Sequence, residues 1–278
     1  MIRSRVWFGP LLVIALTAVL VFLTVPVLAI FLETTPAQIV RKLGEDQARE
    51  ALWLSARTTG AAMLLIVAVG TPAAYLLATR RFRGRALVIT LIELPLVMPP
   101  VVAGIALFAA FGRAGLLGDE LGALGLSIPF TEAAVVMAVA FVASPFYIRQ
   151  AIAAFEAVDP VMVDAARSLG AGPGRAFWRI SLPLASGGLT AGWALAFARG
   201  LGEFGATIIF AGSLQGTTQT LPLAVYAQFE SDFDAALAIG GMLIVVSAAI
   251  LLAVKLGSSW TTRLASPSTS IFRGAPSA

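Results

Sequence analysis

The residues able to do chemistry in this chain are few and widely spaced. It contains no histidine and no cysteine, which removes imidazole acid–base catalysis, thiolate nucleophiles, disulfides and the usual zinc ligand sets. Only two lysines occur, Lys42 and Lys255, and neither stands in a G-x-x-x-x-G-K-[ST] phosphate loop. No acid–base or metal constellation forms on any apolar stretch, so no catalytic residue, cofactor or metal ligand is expected in this chain. What remains are solitary charges in apolar surroundings. Arg199 and Glu203 interrupt one such stretch at a spacing of four, and Glu93 interrupts another just before Pro95, Pro99 and Pro100. A charge inside a membrane span costs roughly 2.5–3.5 kcal/mol on insertion scales, so each needs a partner or a task. For Arg199 and Glu203 two readings stand: mutual neutralisation in a helix bundle, or a place at a pathway or gate.

The elements that must position these charges follow from hydropathy. Of 278 residues 59% are hydrophobic and 12% charged, against roughly 25% charged in an ordinary soluble domain. Six apolar segments are long enough to cross a bilayer: residues 6–32, 58–79, 86–112, 131–148, 184–211 and 235–254. The first, at ~1.5 Å per residue, is about 40 Å long, too long for a signal peptide and read as retained. The expectation is an all-α membrane protein with one transmembrane domain over residues 1–257. A mobile tail, rich in Ser, Pro, Thr and Ala, follows over 258–278.

The formal charge of +4 does not point to nucleic acid, because Lys and Arg cluster beside the apolar runs. With the N-terminus placed inside, thirteen basic residues fall on the inner side. They are Arg3, Arg5, Arg80, Arg81, Arg83, Arg85, Arg149, Arg167, Arg175, Arg179, Lys255, Arg263 and Arg273. Five fall outside: Arg41, Lys42, Arg49, Arg57 and Arg113. That asymmetry obeys the positive-inside rule and places both termini in the cytoplasm. The segment from Thr34 to Arg57 is charged and expected to be helical on the outer face, with Thr35-Pro36 as a helix start.

The loop between the fourth and fifth spans, about residues 156–183, carries the strongest pattern. Asp159-Pro160 opens a short helix, Gly170 stops it, and a second helix follows the turn at Gly172-Pro173. Val161, Ala165 and Leu169 lie along one face, so the helix can dock against a partner. Asp164-Ala165-Ala166, then Gly170, then Ile180-Ser181-Leu182-Pro183 resembles the E-A-A…G…I-x-L-P loop of ABC importer permeases, with the spacing kept and Asp164 replacing the usual Glu. The resemblance implies a type I importer permease fold, in which this loop is a coupling helix seated on a cytoplasmic ATPase.

A second resemblance narrows the group. Leu201-Gly202-Glu203-Phe204-Gly205-Ala206-Thr207 through Gly212, followed by Thr218-Gln219-Thr220-Leu221-Pro222, is similar to molybdate-type permeases of the sulfate, molybdate and tungstate group. The likeness runs from about Ala51 through the sixth span. It implies a non-catalytic, inner-membrane subunit whose pathway carries a tetrahedral oxyanion, most closely molybdate and with it tungstate. The implied partners are a second copy of the chain, two ABC ATPase subunits that bind the ATP, and an extracytoplasmic oxyanion-binding protein. Pathway or gate residues are expected among Pro99, Pro100, Arg199, Glu203, Gly205 and Thr207. Gly188, Gly192, Ala196 and Gly200 form a small-residue ridge for close helix packing, within the bundle or across a homodimer. The prolines from Pro95 to Pro100 are expected to kink or unwind the third span. A sulfate or thiosulfate permease is the neighbouring reading. A stand-alone secondary transporter is a more distant one, for which paired relay groups and inverted repeats would be expected.

Overall fold

A computed structural model describes residues 5–264, and among these every regular element is helical. In chain order they are α1 (Arg5–Glu33), α2 (Pro36–Leu43), α3 (Asp46–Thr79), α4 (Arg85–Val97), α5 (Pro100–Phe111) and α6 (Gly118–Ala123). There follow α7 (Glu132–Glu156), α8 (Pro160–Ser168), α9 (Pro173–Ala176), α10 (Leu182–Leu201), α11 (Gly205–Phe210), α12 (Leu221–Phe229) and α13 (Phe233–Leu264). Five helices are long and apolar enough to span a bilayer, and six when α4 and α5 are counted as one bent span.

α7 is the axis of the bundle, flanked by α3 and α10. Lipid tails are as apolar as leucine, so these helices are held by close packing between small residues. Ala134, Ala138, Ala143 and Ala151 of α7 are buried, and Gly70 of α3 lets Tyr147 and Ile148 approach. Thr71 and Tyr147 share a buried 2.6 Å hydrogen bond. The ridge on α10 meets α7 in the same chain: a Cβ on Gly188 would stand 2.5 Å from Ala154 Cβ, and one on Gly200 2.9 Å from Val139 Cγ1. The ridge is therefore packed within the bundle, the first of the two alternatives its spacing left open. The outward faces, such as Leu64 and Val69 of α3 and nearly all of α1, are exposed and apolar, as a lipid-facing surface requires.

Two ion pairs and a set of close contacts fix the direction of each crossing. Arg57 near the start of α3 pairs with Glu132 at the start of α7, and Arg85, just beyond α3, pairs with Glu156 at the end of α7. α3 and α7 thus run parallel, and α4–α6 must carry the chain back across the bundle between them. α10 is antiparallel to α7, since Gly188 meets Ala154 and Gly200 meets Val139. At the far end Leu221 N–H donates to Ser55 Oγ, and Gln47 hydrogen-bonds both Gln219 and Gln228, so α12 lies beside the start of α3. Arg80, Arg81, Arg85 and Arg167 collect at one end; Arg57 lies at the other.

Boundaries differ from the sequence expectation in physical ways. α2 starts at Pro36 as expected, and the second span is the later part of the longer α3. The third span is broken, with an angle of 116° between α4 and α5, but Pro95 sits inside α4 without ending it. The break falls at Met98 and Pro99, both extended, because a residue preceding proline is driven out of the helical region and two prolines follow in succession. The fifth span is not one helix over 184–211: α10 ends at Leu201 and α11 begins at Gly205. α13 continues to Leu264, so part of the expected tail is helical; residues 265–278 lie outside the described residues.

Candidate functional site

The loop after α7 is built by local rules. Asp159 caps α8 with its side chain accepting from Val161 N–H at 2.9 Å, and Pro160 takes the first helical position, where no N–H is needed. At the other end Gly170 has φ +87°, its N–H donates to Arg167 O, and Ala171 N–H donates to Ala166 O. That is a Schellman stop, which accounts for glycine at this position and engages the Ala166 carbonyl. α8 then presents Val161, Met162 and Leu169 to solvent, Leu169 at 89% exposure, while Asp164 and Ala165 are also exposed.

The second half of the motif is a joint. After α9 the chain makes a π-helical turn over Phe177–Ser181, in which Leu182 N–H reaches back to Phe177 O. Pro183 has no N–H for the Arg179 carbonyl, so a wider turn precedes it. Phe177 packs against Tyr75 of α3 and Phe155 of α7, with centroids 4.7 and 6.1 Å away. Ile180 and Leu182 are half-buried and Pro183 is exposed. The structure therefore divides the loop into an uncovered helix bearing Asp164, Ala165, Ala166 and Gly170, and a packed joint bearing Ile180, Leu182 and Pro183.

Within the bundle the two interrupted spans touch at their interruptions. A methyl on Gly205 would stand 2.5 Å from Pro100 Cβ, and one on Gly104 would stand 2.8 Å from Ala206 O. Glu203 lies in the unwound link between α10 and α11, not on a continuous helix as its spacing suggested, and is 2% exposed. Its Oε1 accepts from Ala206 N–H at 2.7 Å, and its Oε2 lies 2.7 Å from Arg199 Nη1. The carboxylate thereby ties the last turn of α10 to the first turn of α11, each charge on the helix end that favours it. Thr207 is fully buried and donates to Phe204 O at 2.8 Å. Pro99, Pro100, Arg199, Glu203, Gly205 and Thr207 thus gather at this double break.

Sequence reasoning missed two further features. Glu93 of α4 and Arg149 of α7 form a 3.0 Å ion pair on the bundle surface, and Tyr75, Phe155 and Phe177 converge under the loop. Both join residues far apart in sequence, and only the direct packing of α7 against α3 on one side and against α4 on another brings them together.

Residues 70–266 match the family described as "Binding-protein-dependent transport system inner membrane component". The chain is 45% identical over 235 residues, 84% of its length, to the molybdenum transport system permease protein ModB of Mycobacterium tuberculosis, covering 89% of that protein. It is 38% identical over 220 residues to ModB of Escherichia coli K12, covering 79% of this chain and 95% of that one. It is 33% identical over 224 residues to the sulfate transport system permease protein CysW of Synechocystis, covering 80% and 81%. Among solved structures, a chain of the bacterial alginate ABC transporter superposes with TM-score 0.77 at 17% identity, covering 94% of this chain and 96% of that one. A chain of the MetNI methionine ABC transporter superposes with TM-score 0.59 at 16% identity, covering 80% and 97%. The fold is that of the type I importer permeases, and the chain is a multi-pass protein belonging to the binding-protein-dependent transport system inner membrane component family.

Proposed function

We propose that this chain forms the membrane pathway of an ATP-driven importer for molybdate, accepting tungstate as a second tetrahedral dianion. The observation that carries the substrate is the 45% identity to a molybdenum permease across 84% of the chain, against 33% to a sulfate permease. The end bearing α8 and the arginine cluster faces the cytoplasm, by the positive-inside rule. There α8 seats on an ATPase subunit that binds the ATP; its uncovered Val161, Met162 and Leu169 supply the contact. An extracytoplasmic binding protein delivers the anion to the opposite end.

Two copies enclose the pathway. In support, Arg149 is 60% exposed and Glu93 34% exposed on adjacent spanning helices, a charged face that lipid would penalise and a second copy would cover. The double break serves as the gate. Two irregular segments at membrane depth are tolerated where they line or close a cavity, and each can change direction without melting a whole helix. Closure of the ATPase pair draws the coupling loops together, and the joint at Phe177–Pro183 passes that motion to α10 and the break above it.

The test is ATP hydrolysis by the complex of this chain with its ATPase and binding protein in proteoliposomes. Molybdate and tungstate should stimulate it and sulfate should not. Stimulation by sulfate alone would overturn the substrate and keep the machine, whereas an assembled complex that no oxyanion stimulates would overturn the importer.

A further inference from the structure

Beneath α8 lies a cleft of about 1020 Å³, at the upper end of the roughly 300–1,000 Å³ of small-ligand sites. It is bounded by the end of α3, the Arg80–Arg85 link, the end of α7, and α8. Its charged lining is Arg80, Arg81, Arg85 and Arg167 with Glu156 and Asp164. Arg85 is already committed: one guanidinium nitrogen pairs with Glu156, and Nε donates to Leu77 O at 2.7 Å. Among the described residues no carboxylate lies within 4.0 Å of Arg80, Arg81 or Arg167. With Asp164 set against these three, the cleft keeps an excess of positive charge.

Position says what that charge meets. Arg80 follows directly on α3, whose apolar Leu76 is 53% exposed, and Phe82 beside it is 43% exposed. The cleft thus opens at the rim where the lipid-facing surface ends, at headgroup depth. Arginine forks match phosphate oxygens, and basic pockets at helix ends on the membrane surface take anionic headgroups. We propose that this cleft binds the phosphate of an anionic phospholipid, held between Arg80 and Arg81 on one side and Arg167 on the other. Because Arg167 rides on α8 while Arg80 and Arg81 extend α3, the bound phosphate ties the exposed helix to the end of a span. Lipid composition then sets how firmly α8 is held.

The experiment is lipid retention by the full chain in mixed micelles, read by native mass spectrometry with phosphatidylglycerol against phosphatidylcholine. The wild type should retain phosphatidylglycerol selectively. Arg80→Gln with Arg81→Gln should weaken that retention about thirtyfold, and Arg167→Gln alone about fivefold, since each basic group near a membrane surface contributes ~1 kcal/mol. The paired Arg→Lys variant should restore most of it. Melting temperatures check that the variants fold; should the double variant unfold, Arg167→Gln provides the reading. Unchanged retention in the folded variants would overturn the site. Inorganic phosphate at millimolar concentration should neither bind nor displace the lipid. If it did so with the same arginine dependence, the ligand would be a soluble phosphate and the lipid assignment would fall.

Discussion

Gly205 and Pro100 meet so closely that a Cβ on the glycine would stand 2.5 Å from the Cβ of the proline. One residue opens α11 and the other opens α5, so a single contact joins the interruptions of two spans. Gly205→Val should force them apart and cost about 1–3 kcal/mol, the usual penalty for overpacking. Thermal melting in detergent gives the stability. A variant that melts with the wild type would show that the two breaks do not bear on one another.

The Arg199–Glu203 pair should behave asymmetrically. Arg199→Ala leaves a carboxylate of 1% side-chain exposure without its counter-charge, a loss of about 3–5 kcal/mol for a buried pair. Glu203→Gln should cost less, because an amide oxygen still accepts from Ala206 N–H and Arg199 keeps 29% exposure. A double-mutant cycle with Arg199→Gln measures the coupling. Equal losses from both single variants would contradict the buried-carboxylate account.

On α8 stability and docking should separate. Leu169→Asp changes a residue 89% exposed and should leave melting within about 0.5 kcal/mol while weakening ATPase capture at least tenfold. Gly170→Val should do both kinds of damage, because φ +87° costs a β-branched residue about 1–2 kcal/mol and the Schellman stop is lost. Co-purification with the ATPase reads the first effect and melting reads the second.

Gly188→Leu tests where the ridge packs. The added side chain would collide with Ala154 on α7, so the chain itself should lose stability by about 1–3 kcal/mol or more. If the variant instead kept its melting temperature and only lost self-association, the ridge would belong to an interface between copies.

Much of this was written locally. Span number follows from apolar runs, and α8 from Asp159-Pro160 at one end and Gly170 at the other, since caps depend on residues within one turn. The break in the third span was half legible: consecutive prolines force extension at Met98 and Pro99, yet Pro95 resembles a breaker and is absorbed by α4. The break after Leu201 was hidden, because Gly202-Glu203-Phe204 sits in an apolar run and the contact of Gly205 with Pro100 joins residues far apart in sequence. Glu93 with Arg149 and Phe177 with Tyr75 were illegible, since each pair needs the order of α3, α4 and α7 in space.

Phe177 also determines what a push on the loop after α7 can accomplish. It packs against a ring on α3 and a ring on α7 that also touch each other, and it continues through the π turn into α10. A force applied at Leu169 therefore does not bend one lever. It enters an aromatic junction shared by the end of α3, the end of α7 and the start of α10, so the load is divided among three spans rather than carried by one.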